Sequence, residues 1–445
     1  SDFFKFKNKA LVSATPIELS DVRFNGFTKL IISPQFDFRQ PLTVEFTNNT
    51  LAVIKEVIAK IGNNTVCIFL NSTDAIHSLI TTLGINNEST VFCSDDSVAK
   101  LKGSYRFKRA YSTFDKNQMT HYNFFTSRFY AGMDIVLDYK PDLVMFSDMH
   151  LVSHTMLDPH TDIPQIIGRF RNGVNSATHI TNAVTNHVYQ SKEDILTEIR
   201  VLEGCYERDK REYETATILP DKRAYKRQIE NSPYKDYLDE EGKKSYSAID
   251  SYVNDTLTKN LYLSIDTLQS AYYTDQILLK RFHTTVINKR FRAGDSERLI
   301  IKRKSSTISK RKAITEMWNK FYPIQTEDDY EFAEMCRRED KIIVEALELT
   351  SPERVKSTKF RASELRQLIR EAKQVSPQVT ELIRESFHVG NKYTLSDIKA
   401  KLKEIYSKCG VSTQGVTAQT LKKYFICTDS SIKRKEALLL MGNLP

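Results

Sequence analysis

Two arginines and a glutamine lie close together in the segment Gln165-Ile166-Ile167-Gly168-Arg169-Phe170-Arg171-Asn172-Gly173. A guanidinium group stays charged at physiological pH and presents several N–H donors in one plane, so it binds phosphate well. Beside a parallel sheet, such groups could stabilise the charge that develops on a phosphate group during its cleavage. The alternative interpretation is a surface helix that carries two solvated arginines.

The elements around this segment indicate how it is positioned. An apolar strand is predicted at residues 143–146, and a helix begins after it, with Asp162 in the capping position and Pro164 in the first turn. Further strands are predicted at residues 10–15, 29–33, 66–70, 91–93, 122–126 and 178–184, and helices at 51–61, after Asn71-Ser72-Thr73-Asp74 and after Ser94-Asp95-Asp96. Strands that alternate with amphipathic helices are typical of an α/β fold with a doubly wound parallel sheet.

Polar side chains follow several of these strands. In parallel sheets, ligands bind at the carboxyl ends of the strands, where helix N-termini offer free backbone N–H groups. We therefore expect an edge that handles phosphate groups. The polar residues at the strand ends are Asn71, Ser72, Thr73, Ser94, Asp95, Thr126 and Ser127.

Four short motifs in these elements resemble the motifs of a known protein family. Leu11-Val12-Ser13-Ala14-Thr15 resembles motif III of the superfamily 2 helicases, and Val66-Cys67-Ile68-Phe69-Leu70-Asn71-Ser72 resembles motif IV. The run from Phe125 to Ile135, with Thr126, Gly132 and Asp134, resembles motif V, and Gln165-x-x-Gly168-Arg169-x-Arg171 resembles motif VI. The four occur in the order of that family. The resemblance implies a RecA-like helicase C-terminal lobe.

The resemblance also implies roles for individual residues. Gln165, Arg169 and Arg171 would be catalytic, with Arg169 facing the γ-phosphate and Arg171 as a second arginine finger. Gly132, Asp134 and Gly168 would border the nucleotide. Nucleic-acid contacts would come from Asn71, Ser72, Thr73, Ser94, Thr126 and Ser127. One departure affects Arg171, because many members place the last arginine three positions after the first, where this chain has Asn172.

The ATP-binding half of such a motor has no counterpart in the sequence. There is no Gly-x-x-x-x-Gly-Lys-[Ser/Thr] segment and no Asp-Glu-x-[Asp/His] strand end before residue 11. ATP and Mg²⁺ would therefore be bound mainly by another lobe, and we expect this chain alone to be inactive. The lobe could be encoded upstream, be disordered, or be absent because the fold serves binding only. The start of the chain near motif III favours the first two.

Composition narrows the class of protein. The net charge of +9 indicates an acidic partner, with nucleic acid favoured over an anionic membrane surface. The chain has no apolar run long enough to span a membrane and does not begin with a signal peptide, so we expect a cytoplasmic protein, or one at a nucleoid or viral replication site. Six scattered cysteines without a Cys-x-x-Cys pair indicate reduced thiols and no zinc site. We interpret His150, His154, Asp158 and His160 as polar loop residues and expect no metal site there.

The second half of the chain is predicted to be mainly helical. Helices are expected near residues 195–206, 252–279, 328–349 and 361–374, with a loop-rich insertion at 219–242. The segment 280–312 is the most basic, and Arg303 and Lys304 lie in it as candidate contacts to nucleic acid. A solvated loop is the alternative for this basic segment.

The last 60 residues resemble a winged helix-turn-helix. Residues 393–409 and 417–425 form two capped helices, and a possible hairpin follows at 426–440. The segment could bind nucleic acid or dock replication or repair proteins. The predicted domains are a remnant of a first lobe and linker at 1–40, the RecA-like lobe at 41–190, a helical accessory region at 191–312, a helical region at 313–384 and the winged-helix-like domain at 385–445.

Taken together, these patterns predict the C-terminal portion of an ATP-dependent superfamily 2 helicase or translocase, with DNA favoured over RNA as the partner. The alternative is a non-enzymatic nucleic-acid-binding or replication scaffold protein that keeps the fold.

Overall fold

The computed structural model describes residues 2–32, 35–130, 132–150, 155–183, 187–273 and 282–444. The chain divides into two compact units, Ser1–Asp295 and Ser296–Pro445. Each unit is considered by itself below.

The first unit is built on a sheet of eight strands that all pair in parallel. The order across the sheet is β4-β3-β5-β2-β6-β7-β1-β8. The strands are β1 (Gln40–Thr47), β2 (Val66–Phe69), β3 (Ser89–Phe92), β4 (Ala110–Tyr111), β5 (Tyr122–Phe125), β6 (Asp142–Phe146), β7 (Ser176–Thr181) and β8 (Phe282–Lys289). The predicted α/β class with a parallel sheet is confirmed.

Helices connect most of the strands, and local capping explains where three of them begin. They are α1 (Thr50–Ile61), α2 (Thr73–Leu83), α3 (Asp95–Gly103) and α4 (Asp162–Arg169). Asn49, Ser72 and Ser94 each precede a helix and accept a hydrogen bond from a backbone N–H of its first turn. The predicted cap Asp162 is instead the first residue of α4, and Thr161 occupies the cap position.

Both faces of the sheet are covered by apolar packing. Cys67 and Phe69 of β2 belong to one hydrophobic core, while Val66 and Ile68 belong to another. Successive side chains of a strand point to opposite faces, so a strand that is apolar throughout must lie between two layers. Helices α1 to α3 supply the layer on the Val66 side, and α4 lies on the Phe69 side.

Further helices complete the first unit. They are α5 (Lys192–Thr215), α6 (Leu219–Glu230), α7 (Tyr246–Leu261) and α8 (Ile265–Tyr273). Tyr262 and Tyr272 join the core on the Phe69 side of the sheet. The 3-10 helix Pro233–Tyr237 packs with α5 and α7 around Tyr234.

The second unit contains a helical part and a small antiparallel sheet. Helix α9 (Asp295–Lys302) begins at the last residue of the first unit, and the helices that follow are α10 (Thr307–Phe321), α11 (Glu327–Glu339), α12 (Lys341–Leu349), α13 (Pro352–Ser357) and α14 (Ala362–Gln374). Then come α15 (Pro377–Ser386), β9 (Lys392–Thr394), α16 (Leu395–Lys408), a 3-10 helix (Ala418–Lys423), β10 (Phe425–Ile432) and β11 (Lys435–Asn443). The three strands pair antiparallel in the order β10-β11-β9.

Several predicted elements were wrong. Residues 10–15 form no strand, and Val12 is 96% exposed because no neighbouring strand or apolar layer covers it. Residues 29–32 are also irregular, while residue 33 lies outside the described ranges. The expected insertion at 219–242 contains α6, since Pro220 lies in the first turn, where proline needs no N–H partner. The helices predicted at 252–279 and 328–349 are each interrupted, by residues 262–264 and by Asp340.

Strand β8 was not predicted. It lies within the basic segment 280–312 and pairs with β1 along its whole length, from Gln40–Phe282 to Thr47–Lys289. The sheet thus extends beyond the predicted lobe at 41–190. Within the described residues, every helix is too short or too polar to cross a bilayer.

Candidate functional site

The segments that resemble motifs V and VI lie against each other. The backbone N–H of Ile135 donates to the carbonyl of Arg169 at 2.8 Å, and the N–H of Arg171 donates to the carbonyl of Ile135 at 3.1 Å. The Phe170 ring packs edge-on to Phe69 at the end of β2, with 6.1 Å between centroids. These contacts place residues 165–171 and 132–135 together, near the carboxyl end of β2.

Arg169 is partly buried and is oriented by neutral groups. Its Nε donates to the carbonyl of Gln165 and its Nη1 donates to the carbonyl of Met133, each at 3.2 Å. Among the described residues, no carboxylate lies within ion-pair distance of this guanidinium. Carbonyl oxygens fix the orientation of the group, and the carboxylate of Asp134 interacts with its charge electrostatically without an ion-pair contact. The N–H donors of Arg169 therefore have no direct carboxylate partner among the described residues.

Arg171 has a different environment. Its Nη2 lies 2.6 Å from Oδ1 of Asp134, and both side chains are about half exposed, at 53% and 52%. The hydrogen bond from Arg171 holds the pKa of Asp134 below its ordinary value. An anion that recruited Arg171 would have to displace this carboxylate, so Arg171 is less available than Arg169.

Gln165 connects the site to the N-terminal segment. Its Nε2 donates to Oγ1 of Thr15 at 2.6 Å, and Thr15 is buried although its neighbours Leu11 and Val12 are exposed. The pair joins the segments that resemble motifs III and VI, which are separated by 150 residues. Spacing in the sequence gave no sign of this contact.

Two glycines complete the predicted nucleotide border. Gly132 is exposed and adopts φ +81°, a left-handed conformation that other residues adopt only with strain. Gly168 is exposed on α4, and no atom lies within 4 Å of the position that a Cβ would take at either glycine. Both positions are therefore open, and only Gly132 needs glycine for its backbone.

The predicted nucleic-acid contacts of the first unit are gathered along one edge. They follow β2, β3 and β5, which are neighbours in the sheet. The N–H of Ser127 donates to Oδ1 of Asn71 at 3.2 Å, and Oγ1 of Thr73 donates to Oγ of Ser97 at 2.9 Å. These residues therefore lie together at the carboxyl ends of three neighbouring strands, and their contact with nucleic acid stays a prediction.

Several of these side chains also have a local structural role. Ser72 and Ser94 cap α2 and α3, and Thr126 is buried. Of the six predicted contacts, only Ser127 is classed as exposed, and the others are partly or fully buried. Beside it, Arg128 pairs with Asp95 at 3.2 Å.

In the second unit, Arg303 and Lys304 follow Lys302 at the end of α9, and all three are exposed. Four other cations of the basic segment have acidic partners: Lys289 with Glu45 and Glu56, Lys310 with Glu339, Arg311 with Asp340 and Lys312 with Glu316. Lys280 and Arg281 lie outside the described residues. The alternative to nucleic-acid binding is a purely structural role, because cations at the C-terminus of a helix stabilise the helix.

Sequence analysis missed a buried polar network at the ends of β1 and β6. Oγ1 of Thr50 lies 3.2 Å from Oδ2 of Asp148 and 3.0 Å from Oδ2 of Asp295, and both aspartates are buried. Asn182 donates to Oδ1 of Asp148 at 2.9 Å. The signal that could have found this network is the pair Ser147-Asp148 directly after a predicted strand.

A second buried network joins the end of β6 to β7 and α8. Nε2 of His179 is 3.0 Å from Oγ of Ser147, and Nδ1 is 2.7 Å from the hydroxyl of Tyr272. Burial lowers the pKa of His179 to about 3, so the imidazole is neutral and both ring nitrogens are used by hydroxyl groups.

The histidines near α4 do not form a metal site in the described part of the chain. Asp158 accepts hydrogen bonds from the backbone of His160 at 2.8 Å and from Oγ1 of Thr161 at 3.0 Å. His154 lies outside the described residues. Nowhere among the residues described do three His, Cys, Asp or Glu side chains come together as metal ligands would.

Comparison with known proteins gives no relative from which a function could be taken. No protein-family model matches the chain, and no curated protein or solved structure gives a significant match. Functional conclusions therefore depend on the contacts described above and on the motifs in the sequence.

Proposed function

We propose that this chain is the C-terminal portion of an ATP-dependent superfamily 2 helicase or translocase that acts on nucleic acid, with DNA in replication or repair as the favoured setting. The observation that carries the proposal is Arg169. Its guanidinium is oriented by two backbone carbonyls, 3.2 Å from each, and has no carboxylate partner among the described residues. A preorganised cation without a direct carboxylate partner is suited to stabilise developing charge on a phosphoryl group.

The nucleotide would lie along the edge formed by residues 132–135 and 165–171. Arg169 fits a phosphate group, because its donors remain charged and its orientation is fixed. Gln165, Gly132 and Gly168 would border ATP, with Asp134 and Arg171 beside it. Mg²⁺ would be held mainly by a second, N-terminal lobe, and when bound it would neutralise phosphate charge.

The N-terminal segment supports the presence of such a lobe. Leu11, Val12, Leu30 and Ile32 are at least half exposed, although their sequence has the apolar character of buried strands. Apolar side chains concentrated in one segment indicate a surface that packs against another layer. In the proposed protein, that layer belongs to the lobe that binds ATP.

The second unit supports a role in binding nucleic acid. The order α15-β9-α16, 3-10 helix, β10-β11 is the order of a winged helix-turn-helix, with the 3-10 helix Ala418–Lys423 in the recognition position. The turn between β10 and β11 consists of Lys433 and Arg434, both with positive φ of 49° and 65°. Exposed cations at such a turn suit contact with backbone phosphates.

One observation favours the alternative of a non-enzymatic binding or scaffold protein. Arg171 is paired with Asp134, and Ser72 and Ser94 serve as helix caps, so part of the proposed machinery already has structural partners. The two functions differ in whether the complete protein turns over ATP.

The test uses the protein expressed from its complete reading frame, with ATP hydrolysis measured in the presence and absence of single-stranded DNA. Arg169→Ala should lower turnover by about 10³-fold, the order that an arginine finger contributes. The dissociation constant for DNA should remain within about twofold. Arg200→Ala, on the exposed side of α5, is the matched control and should leave turnover unchanged.

Normal turnover in Arg169→Ala would remove the finger role. If the complete protein binds DNA but shows no ATP hydrolysis, and its reading frame encodes no phosphate-binding loop, the scaffold function replaces the motor. The isolated chain should show no turnover above background in either case.

A further inference from the structure

A cavity of about 370 Å³ lies in the first unit, away from the proposed nucleotide edge. Its walls are the C-terminal half of α1, the strands β7, β1 and β8, and the first residues of β6 and β7. Thr43 and Glu45 of β1 line it, whereas Leu42, Val44 and Phe46 belong to the core that contains Phe170. The cavity is therefore on the opposite face of the sheet from Arg169, and at the amino ends of β6 and β7.

Glu45 is the unusual residue of this cavity. It is only 3% exposed. The Oε1 atom of Glu45 accepts a hydrogen bond from Nζ of Lys289 at 3.3 Å. The buried Oε2 atom is also 3.3 Å from this Nζ, but it accepts no hydrogen bond from the described residues. Lys289 donates at the shorter distance of 2.7 Å to Glu56. One ammonium is thus shared by two carboxylates, and Oε2 lies within ion-pair distance of it but accepts no hydrogen bond from the described residues, which is costly for a buried polar atom.

The floor of the cavity is also electronegative. Asp142 is buried there, and its oxygens accept hydrogen bonds from Nδ2 of Asn64 at 3.1 Å, from Nδ2 of Asn175 at 2.9 Å and from Oγ of Ser176. All three of these donors are neutral groups. Helix α1 ends beside it at Ile61, and the carbonyl end of a helix favours cations.

The remaining walls are suited to a hydrocarbon chain. Val57 and Ile61 of α1 and Ile287 of β8 line the cavity. Lys60 is the one cation among the described residues that line the cavity, and it is exposed. A volume of this size accommodates a small organic molecule.

We propose that this cavity binds a small aliphatic amine. The ammonium group donates a hydrogen bond to Oε2 of Glu45, and the methylene groups pack against Val57, Ile61 and Ile287. The ligand then contacts α1, β1 and β8 together, so it stabilises the attachment of the last strand to the sheet. This binding is independent of the proposed action on ATP and nucleic acid.

The test compares three compounds of one chain length on the whole chain: 1,4-diaminobutane, 1,4-butanediol and succinate, each at matched ionic strength. The midpoint of thermal unfolding should rise with the logarithm of the diamine concentration and stay unchanged with the other two compounds, and isothermal titration with the diamine should saturate at one site. A thermal shift that sodium chloride reproduces, a thermal shift with the diol equal to that with the diamine, or a titration without saturable heat would overturn the proposal. The last result would mean that water alone satisfies Oε2.

Variants locate the site. Glu45→Gln should weaken diamine binding at least tenfold, because the amide offers no charge to the ammonium. Glu56→Gln is the matched control: it removes the other carboxylate that shares Lys289, does not line the cavity, and should bind normally. Equal loss in both variants would assign the effect to Lys289 and refute the proposal.

If Glu45→Gln does not fold, Ile287→Trp provides the same discrimination. Ile287 is 36% exposed on the edge strand, so the larger ring can be accommodated while it narrows the cavity. Diamine binding should be lost in this variant. Unchanged binding would place the amine elsewhere on the protein.

Discussion

Replacing Asp162 with asparagine should make the protein more stable at neutral pH. Asp162 lies partly buried at the start of α4, and burial is the main reason that its pKa is raised from 3.8 to about 6. The carboxylates of Asp158 and Asp255 raise it further, while the hydrogen bond that Oδ2 accepts from the backbone N–H of Asp158, at 2.9 Å, lowers it. Asparagine keeps an oxygen for this hydrogen bond and removes the charge.

The sign and size of the effect follow from proton linkage. Between its ordinary value of 3.8 and about 6, Asp162 holds its proton more tightly in the folded protein than in the unfolded chain. The free energy of unfolding therefore falls as the pH rises through this window, and the loss is complete above it. Each unit by which the pKa is raised changes the free energy of unfolding by about 1.4 kcal/mol, so the stabilisation expected from removing the charge of Asp162 has an upper limit of about 3 kcal/mol. Partial exposure of the side chain reduces the expected gain to about 2 kcal/mol.

Urea unfolding of the wild type and Asp162→Asn, followed by circular dichroism from about pH 4 to about pH 7, measures this gain. The difference in the free energy of unfolding between the two proteins should be small at acidic pH and grow to about 2 kcal/mol at neutral pH. Asp221→Asn changes an exposed carboxylate in the first turn of α6 and should stay within about 0.5 kcal/mol of the wild type throughout. A pH-independent difference, or a less stable Asp162→Asn at neutral pH, would refute the reasoning.

Three further variants test packing and charge. Gly294→Ala should lower the free energy of unfolding in urea by about 3 kcal/mol, because a Cβ there would lie 2.0 Å from the carbonyl oxygen of Asn48. Gly204→Ala, in open space on α5, should instead raise it by about 0.5–1 kcal/mol. Equal effects of the two substitutions would contradict the close approach at Gly294. Trp318→Ala should cost about 3–5 kcal/mol in the unfolding of the second unit, since the ring is 2% exposed, and a loss below about 1 kcal/mol would show that the core does not depend on it. Neutralising the exposed cations Lys302, Arg303 and Lys304 at the end of α9 should reduce the slope of log DNA affinity against log salt concentration by about two to three. An unchanged slope would mean that these residues are only the solvated end of a helix.

Two inner strands of the sheet could be predicted because each contains a continuous apolar run, at residues 66–69 and 143–146. Both strands lie between two layers, so every position is buried and the run stands out from its polar surroundings. Strand β8 has the opposite character: it is an edge strand in a basic stretch, it has no continuous apolar run and no regular alternation, and none of its residues is fully buried. Its pairing with β1 depends on tertiary structure, which the local sequence pattern does not predict.

The candidate site was only partly predictable for the same reason. The spacing of Gln165, Arg169 and Arg171 indicated a cluster of donors, but not which arginine is paired. The contact of Arg171 with Asp134 and that of Gln165 with Thr15 join segments that are distant in sequence. Glu45 gave no signal in the sequence, since its unusual feature is one buried oxygen atom that accepts no hydrogen bond from the described part of the chain.

The position of β8 has a consequence for synthesis of the protein on the ribosome. Strand β7 ends at Thr181 and β8 begins at Phe282, so all of α5 to α8 emerges before the last strand is available. Until then the outer edge of β1 offers free backbone groups to any other extended chain, which promotes aggregation. Recombinant fragments that stop near residue 190 should therefore be poorly soluble, and one that extends to residue 295 is the shorter piece suited to expression of this unit.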